Sequence, residues 1–297
     1  MTTTIVQLLQ SNTALWVSVA AILGLVVGSF LNVVIHRLPL IMEREWMEQY
    51  QELAGEPNQN TVKEEQPPVN LVTPGSQCPH CGHHIRAWEN IPVISYLLLH
   101  GRCSNCHVAI SVRYPIVELI TCLLSAVVAW HFGFGWQAVA AMLLTWSLIA
   151  LSAIDIDHQL LPDAITLPLL WAGLTISLFP VFIDSQASIS GALAGYLCLW
   201  VIYHLFKLIT GKEGMGYGDF KLLAALGAWM GWSALPIVVL LSSVVGAIAG
   251  ITMIIVRGRD RQVPIPFGPY LAAAGWLTLL WGTHIADIYL RWAGSLA

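Results

Sequence analysis

WQAVAAMLLTWSLIALSAIDIDHQLLPD, Trp136 to Asp163, runs nineteen residues without a formal charge before Asp155 interrupts it. At 1.5 Å per residue such a run reaches about 28 Å as a helix, close to the ~30 Å hydrocarbon core of a bilayer. Its hydrophobicity is continuous rather than alternating, which fits a spanning helix and not a membrane β-barrel. The 297-residue chain as a whole is 57% hydrophobic and 10% charged, with a mean hydropathy of +0.70. Soluble domains average about 25% charged residues, so the composition is that of an integral membrane protein. A net charge of −4 gives no reason to expect a nucleic-acid partner.

Outward from that stretch, eight apolar segments are expected to span, at about 14–35, 115–132, 136–154, 161–181, 188–209, 219–232, 234–256 and 267–290. The predicted fold class is therefore all-α: a polytopic membrane protein of about eight transmembrane helices with a small cytoplasmic zinc-binding loop domain. Residues 1–35 form the first span, 36–114 the loop domain and 115–297 the remaining membrane domain. Residues 1–13 lack a basic n-region, so the first segment is read as a span and not a cleaved signal. With both termini outside, twelve of the thirteen Lys and Arg residues lie on or beside one face, Arg291 being the exception. That distribution predicts a cytoplasmic loop domain and cytoplasmic turns near 155–160, 207–218 and 257–263.

Within the loop domain, Cys78-Pro-His-Cys81 and Cys103-Ser-Asn-Cys106 form two C-x-x-C pairs separated by 21 residues. Paired knuckles of this kind read as a tetrathiolate zinc site, and a reducing cytoplasm disfavours disulfides. Four thiolates leave no open position, so the ion would be structural. His80, His83, His84 and His107 are then second-shell groups rather than ligands. Cys122 and Cys198, inside expected spans, read as buried apolar side chains. The polar stretch from about Glu43 to Pro68 reads as variable, partly mobile surface.

Ionisable groups in or beside spans are costly, and the candidates are Glu118, Asp155, Asp157, Asp163 and Asp219. Asp155 ends the third span and Asp219 opens the sixth, so both return to the same side of the membrane. A carboxylate pair sharing one proton can activate water and protonate a leaving group, which is aspartic-protease chemistry. Taken one at a time, either aspartate is as readily a helix cap or an interfacial group. Asp163 reads as a helix N-cap, Asp157 as a solvated turn residue and Glu118 as a structural polar contact. Glycines 214, 216 and 218 lead into Asp219 and, lacking a Cβ, read as a flexible approach where backbone can come close and adopt φ > 0, or as an ordinary interhelical turn.

Several motifs in one order are similar to those of the type IV prepilin peptidases, a GxGD-type aspartyl protease family. GSFLNVVIHRLP (Gly28 to Pro39), the paired C-x-x-C knuckles, ENIPVISYLLLHGRCSNC, ISVRYPIVE, AIDIDHQLLPD, GYGDFKL and IPFGPYLA (Ile265 to Ala272) carry the resemblance. It implies that Asp155 and Asp219 are the catalytic pair of an aspartic endopeptidase in the inner membrane. The implied substrates are prepilins of type IV pili and pseudopilins of type II secretion, cleaved after a glycine at the cytoplasmic face. It further implies methylation of the new N-terminus by S-adenosylmethionine, whose binding residues the motifs do not identify. The alternatives are a peptidase that does not methylate, a proton-coupled transporter and a membrane-anchored zinc module. No internal repeat supports a transporter, and the zinc module leaves both aspartate motifs unused.

Overall fold

The computed structural model describes residues 2–54, 70–212, 214–257 and 266–294. Among them the chain is helical and free of sheet, with two isolated bridges at Gln77–His84 and Arg102–Ala109. The helices are α1 (Thr2–Ser11), α2 (Thr13–Ala54), α3 (Ile94–Leu98), α4 (Arg113–Phe132) and α5 (Trp136–His158). They continue with α6 (Asp163–Ile176), α7 (Ser185–Thr210), α8 (Tyr217–Met230), α9 (Leu235–Arg257) and α10 (Gly268–Gly294). The chain divides into two compact units between Trp130 and His131.

Eight of these helices overlie the eight apolar segments, but they are not eight equal spans. Among the described residues, five stretches are long and apolar enough to cross a membrane: Thr13–Ala54, Arg113–Phe132, Trp136–His158, Ser185–Thr210 and Trp232–Met253. Helices α6 and α8 have 14 residues each, about 21 Å, well short of the ~30 Å core. Helix α10 is 27 residues and is broken by non-helical backbone at Trp281.

The helix that carries the first expected span also continues beyond it. Helix α2 does not end near residue 35 but runs 42 residues to Ala54, with Pro39 inside it. Residues Leu40 to Ala54, LIMEREWMEQYQELA, are almost all good helix formers, so the charged part of the expected surface segment prolongs the helix instead. The remainder of that segment, 55–68, and residues 258–263 of the turn expected near 257–263 lie outside the described residues.

In the first unit, α2 and α4 meet through Gly24 and Gly28, a G-x-x-x-G pair. A Cβ at Gly24 would lie 2.7 Å from Ser125 Oγ, and one at Gly28 would lie 2.8 Å from Glu118 Cα. Small residues at this spacing let two helix backbones approach without relying on a hydrophobic difference that lipid does not supply.

In the second unit, α8 is the hub. Phe220, Leu222, Leu223, Ala225, Leu226 and Ala228 are completely buried, and a helix that is apolar all round must be enclosed by others. Gly191 and Gly195 of α7 admit the α8 backbone, since a Cβ at 195 would lie 2.5 Å from Leu223 O. Two bonds fix the far end of α8: Ser188 Oγ donates to Ala228 O at 2.6 Å and Trp229 Nε1 to Leu169 O at 2.8 Å. This packing leaves no freedom to the helix that carries Asp219.

Candidate active site and metal centre

Asp219 is the third residue of α8, after Gly216 as its N-cap. A carboxylate in a first helical turn faces the unpaired N–H groups and the positive end of the helix. Here the side chain is buried, and its Oδ1 has no hydrogen-bond partner among the described residues. Buried polar atoms are nearly always satisfied, so an orphaned carboxylate oxygen marks a place where structure has been subordinated to another use.

Asp155 lies in the last turn of α5 and is also buried. The helix stops four residues on, where Gln159 takes a left-handed conformation (φ 54°) and its N–H closes on Asp155 O at 2.9 Å. The Asp155 side chain reaches a different element: its Oδ2 accepts the Gly268 N–H at 2.9 Å. Gly268 is the first residue of α10, so Asp155 satisfies an orphan amide at that helix N-terminus from across the unit.

Leu161 joins the two. A Cβ at Gly218 would lie 2.7 Å from Leu161 Cβ, and one at Gly268 would lie 3.1 Å from Leu161 Cδ2 and 2.7 Å from Asp155 Oδ2. Both glycines are therefore places of close approach, and Leu161 touches the positions that flank each carboxylate. The ends of α5, α8 and α10 thus converge, bringing together the two aspartates that the sequence separates by 64 residues.

Other expectations change. Glycines 214, 216 and 218 are not a loop with φ > 0: none has positive φ, and Gly218 lies inside α8. Their function is space, with Leu161 filling the void at Gly218. Asp163 is not an N-cap; Pro162 holds that position, and Asp163 in the first turn of α6 makes a bidentate ion pair with Lys221 Nζ at 2.6 and 2.7 Å. Lys221 follows Asp219 by two residues, so this pair ties the Asp219 end of α8 to α6. Asp157 is exposed. Cys198 is exposed and Cys122 half-buried; the packed face of α7 is centred on Ser188, Gly195 and Leu199 and leaves position 198 at its margin. Glu118 is the structural contact expected: it is buried, and its Oε2 accepts the Val93 N–H at 2.8 Å.

In the first unit the four cysteines come together. Cys78 and Cys106 Sγ are 3.8 Å apart, Cys81 and Cys103 Sγ 4.0 Å, and all four lie within 4.8 Å of one another. A tetrahedral ion with M–S bonds of ~2.3 Å has S···S edges of about 3.8 Å, so the cluster fits a tetrathiolate metal ion. The two knuckles repeat each other. Cys78 N–H bonds His83 O and Gly82 N–H returns to Cys78 O, both at 2.9 Å; Cys103 N–H bonds Val108 O at 2.9 Å and His107 N–H returns to Cys103 O at 3.0 Å. Gly82 and His107 occupy equivalent left-handed positions, φ 68° and 56°. The His83 backbone, aided by the Asn105 amide, draws the Cys81 thiol down to about 7, favouring the thiolate that binds metal. His83 itself bridges, with Nε2 3.3 Å from Glu89 Oε2 and 3.4 Å from Ser104 Oγ. Glu89 in turn accepts the Arg86 N–H at 2.8 Å, which holds its carboxyl below the usual range.

Lys221, Leu161 and Gly268 lie within the motifs quoted above, but their contacts were not legible there: an ion pair between helices and a helix N-terminus borrowed by a distant carboxylate are properties of the packed unit.

Comparison with known proteins agrees with the motifs. Residues 22–132 match the bacterial peptidase A24 N-terminal domain, and residues 142–251 match the type IV leader peptidase family. The chain is 58% identical over 291 residues to a prepilin leader peptidase/N-methyltransferase of Stutzerimonas stutzeri, covering 97% of this chain and 98% of the relative. It is likewise 58% identical over 289 residues to the protein of that name in Pseudomonas aeruginosa (96% and 97%) and 57% over 276 residues to that of Aeromonas hydrophila (93% and 94%). No solved structure matches the chain. The convergent aspartates, the tetracysteine cluster and this similarity along nearly the whole length lead to one conclusion: the chain belongs to the type IV leader peptidase family.

Proposed function

We propose that this chain removes the leader peptide from prepilins with Asp155 and Asp219 as an aspartyl dyad, and then methylates the N-terminus it has exposed. The observation that carries the reading is the convergence of two buried carboxylates, one held by the Gly268 N–H and the other with an orphaned oxygen. Two carboxyls so placed share one proton at least cost. The Gly268 N–H at a helix N-terminus stabilises negative charge on Asp155, so Asp155 takes the proton of the attacking water. Asp219 keeps the shared proton and delivers it to the leaving amide nitrogen. The water oxygen bonds to the scissile carbonyl carbon, and the C–N bond breaks.

S-adenosylmethionine, when bound, supplies the methyl group: the new α-amine forms the N–CH₃ bond, the S–CH₃ electron pair stays on sulfur, and the surplus nitrogen proton passes to water. The tetracysteine cluster is assigned a structural zinc ion, which fastens the two knuckles and leaves no coordination position for chemistry. The site faces the cytoplasm of an inner-membrane protein whose termini lie outside, and pseudopilins of type II secretion are substrates of the same kind. The finer division of the chain is a span at 1–35, a cytoplasmic loop domain at 36–114 and a peptidase domain at 115–297.

The test is incubation of the purified chain with a prepilin and methyl-labelled S-adenosylmethionine. A shortened pilin carrying label on its new N-terminus is expected. No cleavage refutes the proposal, and cleavage without label selects a peptidase that does not methylate.

A further inference from the structure

The first unit contains a cavity of about 440 Å³ lined by α2, the cysteine knuckles, the segment 89–99 and the start of α4. Its volume is in the ~300–1,000 Å³ range of sites that enclose a small molecule. The void beside Trp229 in the second unit has no room for even a water. We propose that the first-unit cavity is the binding site for the methyl donor, an inference that rests on the methyl-transfer reading above.

Three features of the lining support it. First, its polar groups match the parts of S-adenosylmethionine: the carboxylates of Glu89 and Glu118 suit a sulfonium or ammonium cation, and Arg37 suits the amino-acid carboxylate. Asn32 and Asn90 provide amides for the adenine edge, and Tyr114 provides a ring face for cation–π contact. Secondly, the wall is fixed before any ligand arrives. Asn32 Nδ2 donates to Tyr114 O at 3.1 Å, tying α2 to α4, and Arg37 donates to Asn70 O at 3.0 Å. Thirdly, a strained turn stands behind the wall. Val93, a β-branched residue between the lining residues Asn90 and Ser95, has φ 60° and ψ −46°, in the sparsely populated γ-turn region. Glu118 holds that turn through the Val93 N–H at 2.8 Å, with Ser29 as its other partner. A buried carboxylate pinning a strained backbone beside a roomy, largely apolar cavity with a few polar groups is the form of a preorganised ligand wall.

The metal cluster acquires a purpose from this placement. Cys78 and Cys103 are themselves part of the lining, so the ion would set the shape of the donor site without touching the transferred methyl.

The experiment is binding, separate from turnover. Equilibrium dialysis of S-adenosylhomocysteine and of ATP is carried out on the purified full-length chain, on Glu118→Gln, and on Ser111→Trp, which adds bulk at an exposed lining position. In parallel, methyl-labelled S-adenosylmethionine is crosslinked by ultraviolet light and the labelled peptide mapped. Expected are binding of S-adenosylhomocysteine but not ATP by the parent chain, at least a ~10-fold rise in its Kd in both variants, and a crosslink within 29–37, 89–99 or 111–118. A crosslink within 131–297, or unchanged Kd in both variants, overturns the site while leaving methyl transfer intact. ATP bound as tightly as S-adenosylhomocysteine overturns the assignment of the cavity to the donor. A parent chain that binds neither donor nor product and transfers no label overturns the underlying methyl-transfer reading as well.

Discussion

Replacing Gly268 with alanine adds one methyl group to the junction on which the dyad depends. The new Cβ would lie 2.7 Å from Asp155 Oδ2 and 3.1 Å from Leu161 Cδ2. An ordinary contact begins near 3.4 Å, so the carboxylate must retreat by about 0.7 Å. The Gly268 N–H···Oδ2 bond, 2.9 Å in the parent, then stretches to about 3.6 Å and ceases to be a hydrogen bond. A bond to a charged group is worth roughly 1.5–3 kcal/mol, so cleavage should slow by about 10- to 100-fold. The loss should fall in kcat, because position 268 is reached by the carboxylate and not by the apolar helix of the substrate. Steady-state cleavage of a purified prepilin measures it, with labelling of a pre-cleaved pilin as a control on folding. Since alanine is the better helix former, no loss of α10 can be blamed. Cleavage within about threefold of the parent would refute the placement of Asp155.

Further substitutions probe the supports. Gly195→Ala puts a Cβ 2.5 Å from Leu223 O, one turn beyond Asp219; it should destabilise by ~1–3 kcal/mol and cut cleavage at least ~10-fold, and a parent-like melting temperature and rate would contradict the packing. Lys221→Met removes the half-exposed pair with Asp163. It should cost no more than about 1 kcal/mol and reduce cleavage a few-fold, and adding Asp163→Asn should cause no further loss; full additivity in that double-mutant cycle would show that the pair does not couple. Replacing Cys78, Cys81, Cys103 and Cys106 together with serine should reduce zinc from one equivalent per chain to background by elemental analysis, and undiminished zinc would remove the tetrathiolate site.

What the sequence allowed to be read divides along physical lines. Continuous apolar runs report helices whichever way they face, so all eight helices were legible. Lipid is as apolar as a protein core, however, so hydropathy could not tell the enclosed α8 from a lipid-facing helix, nor the outward Cys198 from a buried one. It also could not see α2 continue to Ala54, because the charged stretch keeps helix propensity after losing hydrophobicity. The cysteine spacing was self-sufficient, since ligand geometry is local to each knuckle. For the aspartates, topology put both at the same expected membrane face, but the contacts that Leu161, Lys221 and Gly268 make run between elements and emerge only from packing. The glycines before Asp219 carried a signal with two causes attached, of which close approach holds at Gly218 and freedom of φ is not used.

The most direct measurement of the dyad is prepilin cleavage by Asp155→Asn and Asp219→Asn, each nearly isosteric and each unable to share the proton. Both should abolish detectable cleavage while still transferring labelled methyl to a pilin whose leader has already been removed. Continued cleavage by either variant would contradict the account.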